Sequence, residues 1–126
     1  MAVPCMVIVQ SEGVRLMRKL EQNEWKAYFD RIARGLGTEQ AEIEVAGLDI
    51  GDQLEADRAL FIGIDYDPKD DVVEVAVSGL DHLIRQPREI YVDEDPAEGL
   101  RSLEVVDADG HKHIVQLKAP LRLPAP

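Results

Sequence analysis

The chain contains a single cysteine, Cys5, in 126 residues, so no internal disulfide can form and no cysteine-based metal site can be built. That absence suits a reducing compartment and sets the expectation of a cytoplasmic protein. Aromatics are scarce as well, one Trp, two Phe and three Tyr, so any aromatic cluster carries weight. No apolar run reaches the length of a membrane span. Positive charge is short: fourteen Lys plus Arg stand against twenty-five Asp plus Glu, a net charge of −11. A surface this negative repels phosphate backbones and anionic headgroups, so neither nucleic acid nor membrane is an expected partner. Basic residues gather locally at Arg15, Arg18 and Lys19, and at Arg31 with Arg34, without the interleaved aromatics of a nucleic-acid surface.

The residues present describe a folded domain. Apolar residues make up 45% of the chain and recur along almost its whole length, which disorder would not allow. The length fits one domain with one core. The apolar stretch Val3–Val9 is followed, not preceded, by positive charge, the reverse of a signal peptide. Glu12-Gly13-Val14 can be encoded by a purine-rich, ribosome-binding type of stretch ahead of the Met17 codon, which gives the hypothesis that residues 1–16 are leader from a mis-assigned start. Intact mass of the native protein distinguishes the two starts. Residues 1–19 are accordingly expected to be an N-terminal extension, disordered or absent, residues 20–123 a single globular domain and residues 124–126 a tail.

A helix is predicted from about Glu24 to Arg34. Trp25, Tyr28, Phe29, Ile32 and Leu36 follow a three–four spacing that places them on one stripe. Asn23 is a competent N-cap, and Gly35 stands where a left-handed C′ residue is wanted. After Gly37 the period changes to two. Strands are expected at Glu42–Gly47, Gln53–Asp57, Leu60–Tyr66, Val72–Ser78, Glu89–Asp93, Leu100–Asp107 and Lys112–Lys118. In the third of these, Leu60, Ile62, Ile64 and Tyr66 alternate against Phe61, Gly63 and Asp65. Asp109-Gly110 reads as a two-residue hairpin turn, which sets Asp107 opposite Lys112, Val105 opposite Ile114 and Val106 opposite His113. Asp67-Pro68-Lys69-Asp70 suits a type I turn, and Pro87 a strand start or edge. The fold class is therefore α+β: one N-terminal amphipathic helix packed on a mostly antiparallel sheet, or small partly open barrel, of about six to seven strands.

Candidate sites are few. Asp65, Asp67, Asp70 and Asp71 are four carboxylates in one short stretch and could meet Ca²⁺ or Mg²⁺. An EF-hand is excluded, because Lys69, Asp70 and Ala76 fall where that loop needs an acceptor, a Gly and a Glu. An acidic hairpin tip explains the cluster better. His111 and His113 share a strand face, but zinc would need a third ligand from His82 or Glu104. A solvated or structural pair is the simpler reading. Ser11, Ser78 and Ser102 lie in no G-x-S-x-G elbow, and Gly35-Leu36-Gly37 follows a helix, so no phosphate loop is present. No cofactor is implied.

Five segments in order carry a family resemblance: N-E-W-K-A-Y-F-D (Asn23–Asp30), I-E-V-A-G-L-D-I-G-D-Q (Ile43–Gln53), F-I-G-I-D-Y-D-P-K-D-D (Phe61–Asp71), D-H-L-I-R-Q-P-R-E-I-Y-V-D (Asp81–Asp93) and L-E-V-V-D-A-D-G (Leu103–Gly110). Over roughly its last hundred residues the chain resembles domain-of-unknown-function family 5335, a family of short bacterial proteins with no activity, cofactor or partner to transfer. His82, Arg85, Arg88 and Tyr91 give Asp81–Asp93 more polar specificity than packing requires, which makes them the expected interaction surface. Two functions follow. The first is a non-enzymatic accessory or interaction module meeting a protein partner or a second copy of itself. The second is a small-molecule- or metal-binding protein, or small enzyme, with a pocket between helix and sheet.

Overall fold

A computed structural model describes the backbone of residues 5–10 and 13–125, and side chains from residue 17 onward. The thiol of Cys5, Ser11, Glu12 and the Arg15 side chain lie outside the described residues. The described chain runs β1 (Cys5–Gln10), β2 (Gly13–Lys19), a 3-10 turn (Gln22–Glu24), α1 (Trp25–Gly35), β3 (Gln40–Gly47), β4 (Gly51–Asp67), β5 (Val72–Val77), β6 (Leu80–Arg85), β7 (Pro87–Asp95), β8 (Gly99–Asp107) and β9 (Lys112–Leu121). Two expectations are corrected. The helix lies mid-chain, because β1 and β2 precede it, and the strands number nine rather than six or seven.

Every described pairing is antiparallel, in the order β1-β2-β7-β8-β9-β3-β4-β5-β6, and the two ends do not join. The long strand β4 serves two layers. Its first half pairs with β3 and its second half with β5. It bends where Arg58 adopts φ 54°, and a bulge follows between Phe61 and Gly63. The connection from β6 to β7 is one residue, Gln86, at φ 55°, whose N–H donates to Asp71 O at 2.9 Å. That corner returns the chain to the first layer, and β6 comes to lie against β8, far from it in strand order.

The core fills the space between the layers, with α1 packed on β4. Trp25, Tyr28, Phe29 and Ile32 are all buried, as their spacing requires. Each such side chain contributes about 1.5–3 kcal/mol by leaving water. Trp25 meets Tyr66 edge-on at 5.2 Å between ring centroids. Tyr28 donates to Glu94 Oε1 at 2.6 Å, and the guanidinium carbons of Arg18 and Arg31 stand 5.8 and 5.7 Å from its ring centroid. Burial first, and then the bond to Glu94, hold its phenol protonated far above the usual range.

The helix ends differ in mechanism from those expected. Asn23 does not cap; Glu24 accepts the Glu21 N–H at 3.0 Å in a capping box. Gly35 is not left-handed. Its surroundings are close, because a Cβ there would stand 3.0 Å from Pro124 Cδ and 3.3 Å from Arg122 O.

Candidate functional site

The β8–β9 turn carries three residues between its closing pair. Asp107 N–H donates to His111 O at 3.0 Å, Gly110 N–H donates to Asp107 O at 3.0 Å, and Gly110 takes φ 84°. This is a type I turn with a left-handed Gly rather than a two-residue turn. The extra residue moves the register by one: Val106 pairs with Lys112 and Val105 with His113, not Asp107 with Lys112 or Val106 with His113. In a sheet, a slip of one residue exchanges faces. His113 therefore sits between Val45 and Val105 on the core face and is 7% exposed.

The buried imidazole is satisfied on both sides. His113 Nε2 lies 2.8 Å from Asp107 Oδ2, and His113 Nδ1 lies 2.9 Å from His82 Nε2, which reaches across from β6. Asp107 Oδ1 accepts the N–H groups of Asp109 at 2.9 Å and His111 at 3.0 Å. Burial disfavours the Asp107 carboxylate, but His113 and these two N–H donors outweigh it and hold its pKa below the usual range. An ionised Asp107 only accepts. Neutral His113 must then donate from Nε2 and accept at Nδ1, so His82 donates from Nε2. Burial, and next the neighbouring His113, push the His82 pKa down.

The third histidine belongs to the same cluster. His111 Nε2 stands 2.8 Å from Asp49 Oδ1, at the tip of the β3–β4 turn, and His111 Nδ1 stands 3.9 Å from Asp107 Oδ2. Its ring lies on the backbone of Gly47, where a Cβ would be 2.5 Å from His111 Cδ2. All three histidines of the chain thus converge with Asp49 and Asp107. A carboxylate–imidazole–imidazole chain can pass or store a proton.

Beside this cluster lies the β3–β4 hairpin arm, in which β3 stays paired with β9 from Ala41 to Ala46 while the first half of β4 is an edge among the described strands. Gly51–Glu55 are exposed throughout. Among the described residues, the exposed large apolar side chains are Leu48, Ile50, Leu54, Leu60, Ile62 and Leu83, five of them between 48 and 62. The arm is acidic as well: Asp49, Asp52, Glu55 and Asp57 stand there with Arg58 as the one base in that stretch. Partial burial, and next Asp52 across the ladder, raise the Glu44 pKa. A shallow hollow of about 470 Å³ opens between the two hairpin tips, lined by Ala46, Gly47, Leu48, Asp52, Gly110 and Lys112.

Residues 16–126 match the profile of a family of unknown function, DUF5335. The chain belongs to DUF5335. An uncharacterized protein of Aquifex aeolicus strain VF5 is 37% identical over 108 residues, covering 85% of this chain and 96% of that one. No solved structure matches the DUF5335 chain.

Within this DUF5335 fold the residues singled out from sequence are scattered. Asp65, Asp67 and Asp70 border a second open hollow on the outer face of β4, β5 and β6, together with Glu74 and Arg85. Asp71 is elsewhere, accepting the Tyr66 hydroxyl at 2.8 Å. Asp67 takes the Lys69 N–H at 3.0 Å, as a turn-forming Asp does. No group of three or more His, Cys, Asp or Glu among the described residues is disposed to hold a metal ion. His82 turns inward, whereas Arg85 is exposed on the opposite face of β6. Arg88 is exposed at the start of β7, and Tyr91 is tied to Glu89 at 3.3 Å, with Glu89 tied to Lys19. These four do not form one patch. Among the described residues no helix is long and apolar enough to cross a membrane.

Proposed function

We propose that the protein is a non-enzymatic interaction module of the cytoplasm whose β3–β4 arm binds a protein partner with an apolar face bordered by Lys or Arg. The observation that carries this reading is the exposure of Leu48, Ile50 and Leu54 at and beside the β3–β4 turn, since large apolar side chains left exposed near one another are characteristic of binding sites. The acids beside them favour a cationic rim on the partner and oppose pairing of two identical arms. A photo-crosslinking residue placed at Leu48 or Leu54 tests it. The same adduct is expected from both positions and none from Thr38 at the base of the arm; adducts of equal yield from all three would remove the assignment.

A second reading, a small enzyme or ligand-binding protein, is favoured by the chain of Asp107, His113 and His82. The two hollows described open elsewhere, and neither is lined by His82. The chain closes one end of the core and is better read as a polar clamp between layers.

A further inference from the structure

We propose that Asp49, His111 and Asp107 form a charge-operated latch that fixes the pose of the apolar β3–β4 turn. The inference rests on the reading of the arm as a binding surface, and it adds how that surface is regulated. Asp49 lies between Leu48 and Ile50, so whatever holds its carboxylate also sets how those two side chains are presented. His111 is the holder, at 2.8 Å from Asp49, and its ring rests on Gly47 at the other end of the turn. A side chain on residue 47 would not leave room for that ring.

The charge state of His111 decides the strength of the hold. Protonated, it donates from Nε2 to Asp49 and faces Asp107 with Nδ1–H, joining two carboxylates. Neutral, with Nε2–H kept toward Asp49, it turns an Nδ1 lone pair toward the Asp107 carboxylate 3.9 Å away, and that contact becomes repulsive. The groups facing it are Asp49 from the β3–β4 turn, Asp107 and Asp109 from the β8–β9 hairpin, and Lys112 as its neighbour on β9. Beyond Asp107 lie His113, His82 and, toward His82, Glu55. The bond to Asp49, more than offsetting burial, raises the His111 pKa, and Asp49 is lowered in turn by the same bond. A raised histidine pKa gives a contribution fully present below its unfolded value of about 6.5 and lost as pH rises through the folded one. The latch is therefore closed in mild acid and loosens toward alkaline pH.

The test uses the isolated protein, followed by NMR across a pH titration. The Leu48 and Ile50 methyl resonances are expected to move with the same midpoint as the His111 ring. In Asp49→Asn, whose side chain is exposed and whose fold should persist, the His111 midpoint drops and the methyls no longer follow it. His111→Gln should leave the methyls insensitive to pH over the same range while the rest of the spectrum stays native. Methyls that ignore His111 in the wild type, or a midpoint unchanged by Asp49→Asn, would overturn the latch. No partner is present, so the outcome is independent of whether the arm binds one.

Discussion

At the scale of single residues, Asp107 is the side chain with most depending on it. Its two oxygens serve two backbone N–H groups and the buried His113, with 11% of the side chain exposed. In Asp107→Asn the amide can keep only one of these sets, and a buried donor is left without an acceptor. The expected loss is about 1–3 kcal/mol in urea denaturation, against about 0.5 kcal/mol or less for Asp109→Asn on the exposed turn. His82 supplies a pH dependence. Its folded pKa is lowered, so the unfolded chain takes a proton first as pH falls below about 6.5. Stability due to His82 is then lost down through the folded pKa, opposite in sign to His111. His82→Gln retains a donor and does not titrate, so its stability should fall less between about pH 7 and about pH 5 than the wild type's. An equal fall would place the dependence elsewhere.

At the scale of elements, the helix was legible because 3.6-residue periodicity survives any choice of partner: Trp25, Tyr28, Phe29 and Ile32 are the residues it buries. The strands were legible in position but not in face. A bulge between Phe61 and Gly63 turns Phe61, Ile64 and Tyr66 inward and leaves Leu60 and Ile62 outside, breaking the alternation read from Leu60 to Tyr66. β6 was missed because His82 among its inward residues and Leu83 among its outward ones blur the alternation that Leu80 and Ile84 would otherwise show. The histidine cluster was hidden by one residue of turn length. Gly110 fits both a two- and a three-residue hairpin, and only the second turns His113 into the core. The shared face of His111 and His113, with His82 as a third member, was the available signal. Gly35 offers an element-scale prediction. Helix propensity alone gives Gly35→Ala a gain of about 1 kcal/mol, but the new methyl meets Pro124 and Arg122 in the segment that Arg31 holds through Pro124 O at 3.0 Å. No gain, or a loss of about 1 kcal/mol, is expected by thermal or urea unfolding; the full gain would show that segment to be free to move.

At the scale of the molecule, the sheet is open, coiled on itself by the bend in β4 and the corner at Gln86, and clamped where β6 meets β9 through two imidazoles. Its apolar surface is spread unevenly, heaviest on an acidic arm, in a chain with a net charge of −11. The family shared with the Aquifex protein carries no activity from which to argue, so the arm stands on its chemistry alone. The most direct measurement is quantitative affinity capture from native lysate with the wild type and two variants of equal stability, Leu48→Ser with Leu54→Ser, and Ile62→Ser as a surface control. The account predicts one specific partner, with a basic and apolar surface, retained by the wild type and the Ile62→Ser control and lost from the double variant. Equal recovery of that partner by all three proteins would contradict it.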